Sequence, residues 1–314
     1  MNAVVLTERG PRVTEVPFQP REGEASIRVS VAGVCATDLE LVKGYMGFVG
    51  VLGHEWVGVV EAAPDPSWVG ARVVGDINCA CGTCATCRAG RPHHCPHRTV
   101  LGIQGRDGAF ADRLSLPLGN LHRVPEGVPD EAAVFVEPLA AACRILEQVH
   151  VSPDWRVVVL GLGRLGQLCA RVLALTGADV VGVARSPAKR ALLPGRTLDP
   201  DGVARAPLAD LVVDCTGSPG GLEAARRLVR PGGTLVLKST VHDLAGANPT
   251  AWIVDEITLV GSRCGPFAPA LRLLAAGLID PLPLVTTRLP LSAGVEALDR
   301  AAAPESVKVL LDVR

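Results

Sequence analysis

The sequence predicts a two-domain α/β protein, a β-rich domain first and then a doubly wound parallel sheet. Three observations predict it. Residues 1–34 alternate apolar and polar residues in the manner of strands, with Gly23 and Gly33 as punctuation. The middle changes to short apolar runs separated by helix-period segments. At that change Arg156-Val-Val-Val-Leu160 runs directly into a glycine-rich turn and a helix. A length of 314 residues suits two domains, and an apolar content of 48% supplies a core for each. The net charge of −1 offers no basic field for nucleic acid or an anionic membrane. No apolar run reaches the roughly 18 residues of a membrane span. The charged start MNAVVLTERGPRV predicts no signal peptide. Ten cysteines then read as metal ligands in a reducing cytoplasm rather than as a disulfide framework.

In the first domain, Ala25-Ser-Ile-Arg-Val-Ser-Val-Ala32 places apolar residues at alternate positions, bounded by Gly23 and Gly33. Shorter strands are expected at Trp56–Glu61 and Arg72–Gly75, with Pro64 and Pro66 between them, as in a small barrel. A helix is expected to begin at Asp38-Leu-Glu-Leu-Val-Lys43, with Thr37 as its cap. The loop that follows carries Tyr45, Met46 and Phe48. With Trp56 these are the candidates for substrate contact, against the ordinary role of packing.

From Ile77 to Cys95 the chain reads INCACGTCATCRAGRPHHC. Cys81, Cys84 and Cys87 form C-x-x-C-x-x-C, and Cys95 follows eight residues on. Gly82 and Gly90 let the chain fold back and bring four thiolates to one point. Zn²⁺ takes such a set tetrahedrally, and a closed four-sulfur shell is a structural site. Two disulfides are the competing reading, disfavoured because cysteines this close would be strained. Cys79, His93, His94 and His97 stand beside the set, but the regular spacing favours the four cysteines.

Earlier in the chain, Gly33-Val-Cys35-Ala-Thr37-Asp38 and Gly53-His54-Glu55 offer one sulfur, one nitrogen and one oxygen. Three mixed ligands leave a fourth position open, the arrangement of a catalytic zinc. Alone, each has an ordinary explanation, such as a buried thiol or a surface His–Glu pair.

GVCATD, GHE, the four-cysteine lobe, Val136-Glu137-Pro138-Leu139-Ala140 and the glycine fingerprint occur together in one order. In that order the chain resembles the zinc-dependent medium-chain alcohol dehydrogenases over essentially its whole length. VEPLA and LGIQGRDGAFA (residues 101–111) resemble most the polyol, threonine and glucose dehydrogenase branch. The resemblance implies a GroES-like catalytic domain, residues 1–138 and 264–314, with a structural zinc lobe at 79–97. It implies a Rossmann domain at 139–263 and an active site in the cleft between the two.

The resemblance also implies that Cys35, His54 and Glu55 bind a catalytic zinc. Glu137 stands where the ethanol-type branch has a second cysteine ligand, either on the metal or holding the water bound to it. Asp38 would orient His54 and fix its tautomer, a role that competes with simple turn formation. Thr37 resembles the family's proton relay. Three positions on, many members carry a histidine that passes the proton outward; here it is Glu40. The implied substrate is a small alcohol or carbonyl compound, and the implied assembly a homodimer or homotetramer. Two other readings stay open. A zinc-independent enone or quinone reductase predicts loss of Cys35, His54 and Glu55. A non-catalytic nucleotide-binding regulator predicts a missing relay or an added segment.

In the second domain, residues 140–150 have helix periodicity, and Arg156–Leu160 is a buried strand. It leads into Gly161-Leu162-Gly163-Arg164-Leu165-Gly166, a helix to Thr176 and a strand at Asp179–Val183. In that context the glycines read as a dinucleotide turn, with the helix N-terminus facing the pyrophosphate. An NAD site wants a carboxylate about twenty residues on. The sequence gives Ala184-Arg185-Ser186-Pro187, with Lys189 and Arg190 beyond. Arg185 and Ser186 suit a 2′-phosphate, which favours NADP over NAD; the alternative is that Arg185 stacks on adenine and both cofactors serve.

Further strands are expected at Leu211–Asp214, Thr234–Lys238 and Ile257–Ser262, with a helix at 222–229 and a trimmed third strand and helix within 187–207. By resemblance Thr216 and the Lys238-Ser239-Thr240 turn lie near the nicotinamide. Lys238 is expected to contact the carboxamide or to pair with Glu256. The tail reads as helix 268–276, strand 284–287, helix 291–302 and strand 308–313.

Overall fold

The nine-residue strand Ala25–Gly33 is the axis of the first unit. Its apolar residues are buried along nearly the whole strand, with Arg28 alone exposed. A strand buried on both sides needs partners on both edges, and it has them. Glu55–Ala62 and Lys308–Asp312 pair with it antiparallel, and Arg113–Leu116 pairs with its N-terminal half. The sheet extends through Arg72–Gly75 to Leu121–Arg123 on one side and through Val285–Pro290 on the other. Asn2–Thr7 forms a separate small sheet with Gly10–Glu15 and Gly50–Val51.

The computed structural model describes residues 1–239 and 249–313. Thr240, expected beside Lys238 in a turn near the cofactor, lies outside them. The chain divides into two compact units, Met1–Glu137 with Phe267–Arg314, and Pro138–Pro266.

The second unit carries a six-stranded parallel sheet. Its order is Arg196–Leu198, Asp179–Val183, Arg156–Leu160, Ala209–Asp214, Val229–Leu237 and Thr258–Gly261. The first strand in sequence therefore sits centrally, and the order reverses between Arg156–Leu160 and Ala209–Asp214, the switch point where ligands of such sheets bind. Val158, Leu160, Val181, Val183, Val212 and Leu235 form the core on one face. The third strand has three residues and the helix before it, Pro187–Ala191, has five, so this crossover is trimmed as expected.

Helix starts differ most from the sequence reading. The helix expected from Ala140 begins at Val136, because Pro138 falls in its first turn, where a missing N–H costs nothing. The helix expected from Leu222 begins at Pro219, with Ser218 accepting from the Gly221 amide as its cap. Near the N-terminus, Cys35 rather than Thr37 caps the helix Ala36–Val42, and Asp38 Oδ2 accepts from the Cys35 amide at 2.8 Å.

One buried ion pair ties the loop around Arg106 to the first unit's sheet. Arg106 grips Glu24 with two bonds of 2.7 Å, and Ser115 Oγ donates to the same carboxylate at 2.6 Å. Burial works to raise the Glu24 pKa, but the Arg106 and Ser115 hydrogen bonds outweigh it, and the pKa lies below the ordinary 4.5. The pair's contribution is therefore complete above pH 4.5 and fades as pH falls through the lower folded value. Glu24→Gln, which leaves Arg106 buried and unpaired, is expected to lose about 3 kcal/mol in urea unfolding at neutral pH. The gap to wild type should narrow as the titration is repeated at more acidic pH.

Candidate functional site

The four-cysteine lobe forms as its spacing demands. The Sγ atoms of Cys81, Cys84, Cys87 and Cys95 all lie within 4.8 Å of one another, and all ten cysteines are free thiols. Sulfur–sulfur distances are 3.5 Å for Cys84–Cys87 and Cys81–Cys95, 3.8 Å for Cys84–Cys95 and 4.0 Å for Cys81–Cys87. A tetrahedron with Zn–S bonds of about 2.3 Å has edges of about 3.8 Å, whereas a disulfide needs about 2.05 Å. The donor set therefore fits zinc. Backbone N–H groups of Thr83 and Cys84 pull the Cys81 thiol down to about 6, while burial and the neighbouring sulfurs push Cys87 up to about 12. Like charges so close resist a second thiolate, and a dication removes that cost. Cys79 stays outside the set. His93, expected to crowd the last ligand, instead holds Asp76 of the sheet domain at 2.7 Å and anchors the lobe.

Cys35, His54 and Glu55 also converge, with one donor atom of each within 4.8 Å of the others. The strand Ala25–Gly33 delivers Cys35 just past its end, and Glu55 opens the strand paired against it. Asp38, fully buried, places Oδ1 3.3 Å from His54 Nδ1, off the line of a hydrogen bond. Burial pulls the His54 pKa down, but the Asp38 carboxylate and the Cys35 sulfur outweigh it and hold it well above the ordinary value. A buried imidazole facing a thiol and two carboxylates is a cation-seeking arrangement that zinc suits. Thr37 Oγ1 lies 3.7 Å from Cys35 Sγ. Glu40 is paired at the surface with Lys43 at 2.8 Å.

Glu137 stands in the first turn of the helix Val136–Gln148 and outside the converging set. Burial raises its pKa to about 7; His54 and Lys308 oppose the rise, and Glu55 and Asp76 add to it.

Lys308 is the residue that sequence reasoning missed. It is fully buried, forms an ion pair with Glu55, and sits 5.2 Å above the Phe135 ring. Gly33 leaves room for both charges: a Cβ there would lie 2.8 Å from Glu55 Oε2 and 3.4 Å from Lys308 Nζ. The available signal was a lysine, one of four in an arginine-dominated chain, opening the apolar run Val309-Leu-Leu311.

In the second unit Gly161 has φ +88° and Gly166 packs so tightly that a Cβ would fall 1.9 Å from the Gly161 carbonyl. Gly163 caps the eleven-residue helix Arg164–Ala174 and faces open space. The cradle thus fits a pyrophosphate, with Leu162, Arg164 and Leu165 in the same turn. Arg185 is exposed at the end of the next strand, and Ser186 Oγ accepts from the Lys189 amide. Thr216 Oγ1 donates to Asp214 at 2.7 Å, shaping the turn after its strand.

The expected Lys238–Glu256 pair does not form: the Lys238 ammonium donates to the Ala141 carbonyl, Ser262 Oγ and the Arg263 carbonyl, all inside this unit. Trp56 is buried at 2% exposure against Gly75 and does not line a substrate surface, whereas Met46 is 52% exposed at a positive φ of 58°.

With this geometry in place, comparisons locate the chain among known proteins. The profile described as Alcohol dehydrogenase GroES-like domain matches residues 21–126, and that described as Zinc-binding dehydrogenase matches residues 165–276. L-galactonate-5-dehydrogenase of Escherichia coli K12 is 30% identical over 308 residues, 91% of this chain and 90% of that protein. Sorbitol dehydrogenase of Halalkalibacterium halodurans is 29% identical over 99% of each chain. A structure from Sinorhizobium meliloti 1021, solved with NADP bound, superposes with a TM-score of 0.90 at 28% identity over 99% of each chain. No helix among the described residues is long and apolar enough to cross a membrane.

Lys308→Met strands Glu55 as a buried charge beside Glu137. It is expected to cost about 3 to 5 kcal/mol in chemical denaturation. Replacing Glu55 by Leu in the same variant should recover most of the loss, because the uncompensated charge goes with it.

Proposed function

The chain belongs to the zinc-binding dehydrogenase family, and from that premise we propose that this NAD(P)-dependent alcohol dehydrogenase oxidises a hydroxylated small molecule of the polyol or sugar-acid class, with NADP favoured. The convergence of Cys35, His54 and Glu55 carries the catalytic reading. The sugar-derived names of the relatives and the polyol-type VEPLA segment support the substrate class.

When bound, zinc supplies a Lewis acid for the substrate oxygen and the nicotinamide supplies the hydride acceptor. Cys35 and His54 would hold the catalytic metal, with Glu55 or Glu137 completing the shell. The Cys81, Cys84, Cys87 and Cys95 set would hold the structural one. Asp38 fixes the direction of the His54 ring and opposes its drift into the sheet. Thr37, whose Oγ1 lies 3.7 Å from the Cys35 sulfur, is the hydroxyl that would pass the alcohol proton outward. Lys308 pairs with Glu55 and offsets its charge.

On the cofactor side, Gly161, Gly163 and Gly166 admit the pyrophosphate, and the Arg164–Ala174 helix N-terminus faces it. Arg185 is left for the 2′-phosphate, since no carboxylate occupies the end of its strand. Thr216 flanks the nicotinamide end. Ten free thiols support a reducing, cytoplasmic setting, and family resemblance supports a homodimer or homotetramer.

Cys35→Ala and His54→Ala are each expected to abolish alcohol-dependent reduction of the cofactor and to drop zinc from two equivalents per chain to one, by metal analysis, with the fold retained in circular dichroism. Full turnover in either variant refutes the assignment. Arg185→Asp should move the ratio of kcat/KM for NADP over NAD toward NAD by tenfold or more, about 1.4 kcal/mol, the scale of one charge-assisted bond. An unchanged ratio removes Arg185 from the reading.

A further inference from the structure

We propose that Gln167 and Arg171 are positioning residues that fix the segment Arg185–Arg190 and thereby set recognition of the 2′ position of the cofactor's adenosine. The inference rests on the reading that a dinucleotide occupies the glycine turn.

Both residues lie on the inner face of the helix Arg164–Ala174, Gln167 at 0% and Arg171 at 7% exposure. Gln167 Nε2 donates to the Lys189 carbonyl at 2.7 Å and lies 3.4 Å from the Leu162 carbonyl inside the glycine turn. Its Oε1 accepts from Arg171 Nη1 at 2.6 Å. The same Arg171 nitrogen donates to the Gln167 carbonyl at 3.0 Å, and Nη2 donates to the Leu192 carbonyl at 2.6 Å. Two side chains of one helix therefore grip the last turn of the short helix Pro187–Ala191, whose final carbonyls have no partner within that helix. The gripping amide also touches the turn that faces the pyrophosphate, so the two halves of the adenosine site share one support.

The segment is braced from its other side as well. Ser186 Oγ accepts from the Lys189 amide at 3.2 Å, and Arg190 Nη1 donates to the Ala184 and Arg185 carbonyls at 2.6 and 3.0 Å. Arg190 thus spends its charge on backbone. The Arg185 guanidinium is exposed and has no protein partner among the described residues. It is the group the frame leaves for a ligand.

Burying a guanidinium is expensive, and an apolar pair of similar volume fills such a space at no loss of stability. What the polar pair adds is direction. Four bonds of 2.6 to 3.0 Å hold two carbonyls in place, whereas apolar packing tolerates sliding. A charge-assisted bond to phosphate needs a heavy-atom distance of about 2.7 to 2.9 Å, so a small shift of the segment forfeits it.

The test compares adenosine 2′,5′-bisphosphate with adenosine 5′-monophosphate by titration calorimetry on the zinc-loaded protein, in wild type, Gln167→Met, Gln167→Glu and Arg171→Met. Gln167→Glu keeps the acceptor for Arg171 and removes the donor that the Lys189 and Leu162 carbonyls share, while Arg171→Met leaves that donor in place, so the two variants report separately on the two halves of the network. The 2′,5′-bisphosphate is expected to weaken about tenfold, one charge-assisted bond, and the monophosphate much less. KM for NADP should rise in step with kcat little changed. Equal weakening of both nucleotides, or no weakening, makes the network merely structural and overturns the inference. If Arg185→Asp loses the bisphosphate while the Gln167 variants keep it, the cofactor reading stands and this inference falls. If wild type itself does not distinguish the two nucleotides, both fall.

Discussion

The ion pair between Glu55 and Lys308 is the constraint around which the first unit closes. The two residues are 253 positions apart in sequence and meet across a glycine. Both charges are almost wholly out of water. Such a pair contributes little net stability against an apolar substitute, but it is costly to break, and it can be satisfied only in one register. Gly33 pairs with Glu55 on one side and Leu310 on the other. Slipping the Lys308–Asp312 strand by one residue would turn Lys308 to the opposite face and leave a buried carboxylate alone. The site's geometry and the sheet's register are therefore one requirement.

The same cluster shows how charge is distributed around a cation-seeking site. Asp38, Glu55, Glu137 and Asp76 bring carboxylates into one neighbourhood, where Lys308 faces Glu55, His54 faces Asp38 and His93 faces Asp76. Glu137 carries the strain of that crowding in its raised pKa, to which burial adds most. The cysteine lobe divides its protons by a related logic, with one sulfur ready to ionise and another resisting.

Much of this was legible because some chemistry is local. C-x-x-C-x-x-C closes within fifteen residues, and a strand running into G-x-G-x-x-G needs no distant partner to be recognised. The parallel sheet followed from alternating periods. What escaped depended on who meets whom in space. Lys308 looked like one more strand residue because Glu55 is far away in sequence. Lys238 looked like a partner for Glu256 because nothing in its own segment announces the Ala141 and Arg263 carbonyls that it meets. Trp56 suggested a substrate wall, yet it lies in a stretch, Glu55 to Gly58, that is buried on both faces. His93 seemed a spare ligand until Asp76, seventeen residues earlier, took it. Helix starts moved because capping and first-turn proline chemistry precede the periodic residues that signal a helix.

The return of the strand Lys308–Asp312 to the sheet begun by Ala25–Gly33 also imposes an order of events during synthesis. The ribosome makes every residue of the second unit before it makes Lys308. That unit can fold as a nascent chain while the earlier one still lacks a strand. Glu55 meanwhile waits hydrated, since burying it without its lysine is prohibitive. The metal-seeking cluster thus matures late in translation, although nearly all of its residues are among the first to leave the tunnel.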